Sequence, residues 1–331
     1  MQFGLSEEQI LLQDNVNRFL DDNSPLDRVR TYADGGEDTD IWAGLAELGI
    51  PALLIPEAQG GIGLQPMDAA IVAECLGSHI APTPFLGSAV MAPTALVASG
   101  GDHGDLLAAI AAGTTRVGIA FGEAIKRRND AGVTVKDGRM SGTSMYAFDA
   151  QADVYLVADQ HQHIYLVRAD DPGLTRSHLA TVDKTRRTVE LEYNNVAAET
   201  VSTAASVFEA AIDMGRVALA ADTLGAAQNM LDQAVEYAKQ REQFNRPIGS
   251  FQAVKHMCAE MAAELEPCRS MVWFAGHALA ELPEEARVTA CHTKAHLAEV
   301  GQFVAKTSTE VHGGMGFTAV SYTHLTLPTK A

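Results

Sequence analysis

Arg241, Gln243, Phe244, Asn245, Arg246 and Pro247 stand almost side by side, and their types suit recognition of an anionic ligand that carries a ring. A guanidinium is charged at every physiological pH and presents its donors in a planar fork that matches a phosphate or pyrophosphate. Phe244 adds an apolar face on which a ring can lie. Upstream, Val217, Ala220, Ala221, Leu224, Ala227, Leu231, Ala234, Val235 and Ala238 recur at three- and four-residue spacings, which predicts one long helix ending near Arg241. Asn245, Arg246 and Pro247 break it, because proline lacks an amide and clashes with the preceding turn, and a second helix is expected from near Ser250. The same residues equally suit an ordinary helix hairpin with a solvated basic tip, and this segment alone does not choose.

Two elements flank that helix pair, one early and one late. Leu48–Leu64 reads LGIPALLIPEAQGGIGL, and Val311–Phe317 reads VHGGMGF. Arg241–His256, reading REQFNRPIGSFQAVKH, closely resembles the helix–turn–helix signature of acyl-CoA dehydrogenases, flavoenzymes that desaturate acyl-CoA thioesters. Leu48–Leu64 resembles that family's N-terminal motif and Val311–Phe317 its C-terminal glycine turn, so three matches occur in the right order over most of the 331 residues. The resemblance implies an α+β fold with an N-terminal helical domain, a middle β-barrel or sandwich domain and a C-terminal helical bundle. It implies FAD as cofactor, an acyl-CoA substrate, a role in fatty acid or lipid metabolism, and an electron-transfer flavoprotein as electron acceptor. A homodimer, a homotetramer or a hetero-oligomer with a paralogous subunit is the implied assembly.

Position by position, Arg241 and Phe244 match residues that touch the FAD of a neighbouring subunit around the pyrophosphate and adenosine. Phe251 and Gln252 match the next contact, although Phe251 suits core packing equally well. Glu310, His312, Gly313 and Gly314 match the adenine-side turn, where glycine lets backbone N–H groups approach a phosphate or ribose. Asp213 and Arg216 match acyl-CoA contacts, with a solvated helix face as the plain alternative.

The chain also departs from the family. A carboxylate removes the substrate α-proton there, and one group places it on the long helix just before an arginine, a position that falls on Gly215. Glycine has no basic group. Asp213 is two residues away, about 200° around a helix, and Asp222 shares the face but lies about 10 Å along the axis. No catalytic base is assigned. Another group of the family places its glutamate after the glycine turn; here the residues after Thr318 do not resemble the family, and residues 320–331 read as a non-native tail on a truncated C-terminus. Glu310 replaces the usual glutamine, and a carboxylate beside an anionic cofactor is unfavourable unless it accepts from hydroxyls or adenine. In the β unit the usual flavin-ring motifs correspond to Gly118–Ala124 and Ser144–Ala150, with no tryptophan, since Trp42 and Trp273 are the only two. Tyr146 or Phe148 is then the candidate to stack on the ring, and Gly122 the candidate for close backbone approach. These departures keep two alternatives open: a non-catalytic partner subunit of a hetero-oligomeric dehydrogenase, and a related flavin oxidase or monooxygenase.

Composition bounds the partners. Twenty-four basic residues against 42 acidic give a formal charge of −18, which argues against nucleic acid, since phosphate backbones reward clustered Lys and Arg. Hydrophobic residues at 47% and charged residues at 20% are ordinary for a globular chain. No apolar run reaches membrane-spanning length, no secretory signal is visible, and four cysteines without paired spacing read as reduced thiols, so a cytoplasmic protein without membrane insertion is expected. His292 and His296 are spaced i, i+4, but Thr293 follows the first, so the zinc pattern H-E-x-x-H is not met and no metal is assigned. Lys126, Arg127 and Arg128 form a basic cluster that reads as a solvated loop.

The elements follow from periodicity. Ser6 and Gln9 form a capping-box pattern, and helices are expected over 39–48, 67–76, 84–99 and 104–112. Short strand-like runs occupy 116–121, 132–135, 154–158, 163–167 and 188–193, with Asp137 and Gly138 as a hairpin signal. Helical periodicity returns near Ser206. The resulting organisation is 1–113 helical, 114–205 β and 206–319 helical.

Overall fold

A computed structural model describes residues 4–36, 39–125 and 131–317. The cluster Lys126, Arg127 and Arg128 and the tail 320–331 lie outside the described residues. Contacts divide the chain into two compact units, one of residues 1–34, 70–81 and 216–331, the other of residues 35–69 and 82–215. Along the sequence, helices precede and follow a β-sheet, as the resemblance implies.

The first unit holds α1 (Glu7–Asn23), α2 (Leu26–Ala33), most of α4 (Pro66–Ser78), the later turns of α7 (Ala205–Gln240), α8 (Gln252–Glu281) and α9 (Pro283–His312). α1 starts with the expected capping box: Ser6 Oγ accepts from the Gln9 amide at 3.2 Å, and Gln9 Oε1 accepts from the Ser6 amide at 3.1 Å. α4 and α7 approach so closely that a Cβ on Gly77 would lie 2.0 Å from the Asp222 carbonyl oxygen, and one on Gly225 would lie 1.9 Å from that of Glu74. Only glycine permits that crossing. Asn229 Nδ2 donates to Ser78 O at 2.6 Å across it, and an ion pair between the buried Glu74 and Arg269 ties α4 to α8.

The second unit holds α3 (Thr39–Glu47), a π-helix (Phe85–Met91), α5 (Ala92–Ser99), α6 (Gly104–Ala111), the sheet and the first turns of α7. Its strands are β1 (Val117–Ala120), β2 (Gly132–Lys136), β3 (Arg139–Phe148), β4 (Val154–Ala158), β5 (Ile164–Arg168), β6 (Leu174–His178), β7 (Thr188–Ala197) and β8 (Glu199–Ser202). The order is β6-β7-β3-β1-β4-β5-β8, with β2 paired to β3; β1 and β4 run parallel and the other pairs are antiparallel. Met140, Tyr155, Val157, Val167, Leu191, Tyr193 and Val196 form its own core. Asp137 and Gly138 turn β2 into β3 with φ of 50° and 71°, the left-handed pair that a two-residue hairpin requires.

The helix expected over 84–99 is instead a π-helix followed by α5. The wider turn sits against the start of β1, where Ser88 Oγ accepts from the Val117 amide at 2.8 Å and a Cβ on Gly87 would stand 2.4 Å from Val117 O. β6 and β8 add to the strands read from the sequence.

Candidate functional site

α7 ends at Gln240, and the chain turns through β9 (Glu242–Gln243) and β10 (Arg246–Pro247) before α8. Phe244 and Asn245 form the two-residue turn with φ of 54° and 60°. A left-handed phenylalanine costs about 1–2 kcal/mol, yet this one is 86% exposed, so no core packing offsets the strain. Arg241 is held by both of its backbone groups: its amide donates to Tyr237 O at 2.8 Å, and its carbonyl accepts from the Ile248 amide at 2.8 Å. Its side chain is exposed. Arg246 places its guanidinium carbon 4.0 Å from the centre of the Phe251 ring, and Phe244 meets the same ring edge-on at 6.0 Å and 79°. Phe251 is therefore half-buried in a surface ladder at the N-cap of α8, and Gln252 is exposed in its first turn.

The glycine turn lies beside this hairpin's base. The His312 ring stacks on Tyr237 at 4.7 Å and 26°, and His312 Nδ1 donates to Ser308 O at 2.7 Å, which puts a proton on that nitrogen. Ser308 Oγ in turn donates to Met230 O at 3.0 Å. Tyr237 precedes Arg241 by one helical turn, so the stack gathers the end of α7 and the end of α9 into one surface. α9 stops at Gly313, with φ of 57°, and a Cβ on Gly313 or Gly314 would meet nothing within 4 Å. The backbone there is open to a ligand. Glu310 is exposed in the last turn of α9. Tyr237 was not singled out by the sequence; its i−4 relation to Arg241 was the available signal.

On α7, Asp213 is 6% exposed, which removes the solvated-face alternative for it, and Arg216 is half-buried. At Gly215 a Cβ would lie 2.9 Å from Met91 Sδ, 3.2 Å from its Cγ and 3.3 Å from its Cε. Met91 is itself 4% exposed. The place where a carboxylate would begin is filled by a thioether. In the sheet, Tyr146 is 53% exposed with φ of 56°, Phe148 is half-buried, and a Cβ on Gly122 would stand 3.0 Å from Met145 O. Among the described residues, no three His, Cys, Asp or Glu side chains are grouped to hold a metal, and no helix is long and apolar enough to cross a membrane.

Residues 6–112 match the acyl-CoA dehydrogenase N-terminal domain, and residues 205–326 match the acyl-CoA dehydrogenase C-terminal domain. The acyl-CoA dehydrogenase IpdE2 of Mycobacterium tuberculosis is 31% identical over 322 residues, covering 96% of this chain and 89% of that protein. The chain belongs to the acyl-CoA dehydrogenase family. The acyl-CoA dehydrogenase FadE27 of the same organism is 30% identical over 296 residues, covering 84% of this chain and 79% of that one. Among solved structures, the ChsE4-ChsE5 complex from Mycobacterium tuberculosis superposes with a TM-score of 0.88 at 27% identity, covering 98% of this chain and 92% of that one. A Tcur3481-Tcur3483 steroid ACAD variant gives 0.86 at 28%, covering 96% and 91%.

This membership places the chain among oxidoreductases acting on CH–CH groups. The residues present suit a dinucleotide at the hairpin surface: an exposed fork donor, aromatic faces and a glycine cradle without Cβ atoms lie together there.

Proposed function

We propose that this chain is a subunit of a FAD-dependent acyl-CoA dehydrogenase that introduces a double bond between Cα and Cβ of an acyl-CoA, with electrons passed to an electron-transfer flavoprotein in the cytoplasm. The supporting observation is the surface gathered by the Tyr237–His312 stack, where Arg241, Phe244 packed edge-on to the half-buried Phe251, and the exposed Gly313–Gly314 backbone occur at the ends of α7 and α9. Arg241 takes the pyrophosphate as a fork, Phe244 and Phe251 with Gln252 flank the adenosine, and Gly313 and Gly314 offer amides with Glu310 accepting from hydroxyls. FAD, when bound, supplies the acceptor for the hydride that leaves Cβ. As the resemblance implies for Arg241 and Phe244, this exposed surface serves the cofactor of a neighbouring subunit. Asp213 and Arg216 contact the acyl-CoA.

A specific observation favours a second reading, in which the chain is the baseless partner in a hetero-oligomer. Met91 occupies the space a carboxylate at position 215 would need. Two similar solved structures are named for two different chains, ChsE4 with ChsE5 and Tcur3481 with Tcur3483.

Purified chain, alone and co-expressed with a dissimilar acyl-CoA dehydrogenase chain, separates these readings by its visible flavin band and its bleaching on anaerobic acyl-CoA addition. Bleaching by the pair and not by the lone chain supports the partner role; bleaching by the lone chain refutes it. Bleaching that oxygen rapidly reverses with release of hydrogen peroxide points to an oxidase, and a flavin that acyl-CoA leaves coloured but an added nicotinamide reductant bleaches points to a monooxygenase. Arg241→Ala removes a charge-assisted contact of about 1.5–3 kcal/mol, weakening FAD retention roughly tenfold to a hundredfold. Unchanged retention in Arg241→Ala overturns the hairpin assignment.

A further inference from the structure

We propose that Glu123 is a positioning residue: its buried carboxylate pins a bulge in β3 and so holds the Tyr146 ring outward. In the β3–β7 ladder Ser144 faces Leu191 and Ala147 faces Val189, so Met145 and Tyr146 together stand opposite Glu190. Two residues against one is a β-bulge, a device that re-aims side chains beside functional sites. The cost is visible. Tyr146 adopts φ of 56°, a conformation that glycine usually takes, and still leaves the residue 53% exposed.

The neighbouring turn holds this bulge by its amide and lies close to its carbonyl. The Met145 amide donates to Glu123 Oε1 at 3.0 Å, and Gly122 leaves the space in which a Cβ would come within 3.0 Å of Met145 O. Glu123 is 6% exposed, in the short 3-10 turn Glu123–Ile125 that follows β1. A buried carboxyl is costly unless it is hydrogen-bonded, so the bond to the Met145 amide is the partner that offsets its burial. Holding the Met145 amide with a buried acceptor beside a strained, solvent-facing tyrosine stabilises the presentation of the ring, since the exposed residue itself contributes little to the core. Only the ring's target, the planar part of the flavin, rests on the proposed function. The Glu123 lock stands on the geometry of the sheet alone.

The test compares Glu123→Ala, Glu123→Gln and Tyr146→Gly by two readouts. Amide hydrogen exchange at Met145, measured in protein stripped of flavin, reports the lock. Fluorescence of retained flavin reports the ring, because a stacked tyrosine quenches it. Glu123→Ala should speed exchange at Met145 at least tenfold and raise flavin fluorescence. Glu123→Gln, which keeps the acceptor oxygen, should recover most of both. Tyr146→Gly relieves the left-handed strain, so it should raise Tm by roughly 2 °C while losing the quenching. Unchanged Met145 exchange in Glu123→Ala overturns the lock, as does faster exchange with quenching fully kept. Protein that never retains flavin sinks the cofactor reading instead, and the lock is then judged by exchange and by the Tm of Tyr146→Gly.

Discussion

Gly215 and Met91 allow a double-mutant cycle whose sign follows from the packing. A glycine inside a helix costs about 1 kcal/mol relative to alanine, so Gly215→Ala gains that much from propensity alone. Against it, the new methyl would sit 2.9, 3.2 and 3.3 Å from Met91 Sδ, Cγ and Cε, all tighter than ordinary contact. Overpacking of this kind costs about 1–3 kcal/mol, toward the lower end here because a thioether adapts readily. The two terms leave Gly215→Ala roughly 0–1 kcal/mol less stable. Met91→Ala empties a site that is 4% exposed and should cost about 3 kcal/mol. In the double variant the methyl no longer clashes and partly fills the cavity, so the helix gain returns and the total falls to roughly 2 kcal/mol. The expected coupling is therefore about 1–2 kcal/mol in favour of the pair. Urea unfolding followed by circular dichroism, compared at unchanged slope, measures it. If Gly215→Ala alone stabilises by the full ~1 kcal/mol and the cycle is additive within about 0.5 kcal/mol, then Met91 does not fill the base position and the steric reasoning fails.

Three further variants probe the first unit. Burial raises the Glu74 carboxyl above the usual range, with the Arg269 charge working against that rise. Arg269→Met should cost about 3 kcal/mol by stranding the carboxylate, and adding Glu74→Gln should restore most of it; equal losses in the single and double variants, by thermal melting, would contradict the pairing. Burial, with the nearby Glu74 charge, pushes the Cys75 thiol up to about 12 from an ordinary value of 9.0. Since the folded value is raised, this contribution is intact below pH ~9 and is lost as pH rises from there through about 12, and Cys75→Ala should flatten that part of the Tm–pH curve. A wild-type slope kept in the variant would assign the alkaline loss elsewhere.

Much of the fold was legible because local chemistry and tertiary need agree. The left-handed Asp137–Gly138 turn, the Ser6–Gln9 capping box and the apolar run of β4 each state their structure in adjacent residues. β6 was not legible, since Thr175, Arg176, Ser177 and His178 are all exposed and show no alternation. The π-helix was hidden for another reason: it sits where the Ser88 hydroxyl meets the Val117 amide, a contact between residues distant in sequence. The site divides the same way. Arg241 and Phe244 were candidates by type and spacing, whereas the Tyr237–His312 stack and the Met91–Gly215 contact exist only once helices have packed.

The parts of this chain that suit a cofactor and the part that lacks a base have different physical character, and the difference bears on division of labour. At the hairpin surface the chain tolerates strain in Phe244 and leaves Arg241 exposed, neither of which stabilises an isolated subunit. At Gly215 it does the opposite, filling the space beside the helix with a buried thioether that does stabilise the fold. A subunit acting alone has no use for strain at an outward tip, and a subunit that removes α-protons through α7 has no room for Met91. Both choices are what the proposed partner role requires of a chain: a surface offered to a neighbour's cofactor, and an α7 position given over to packing.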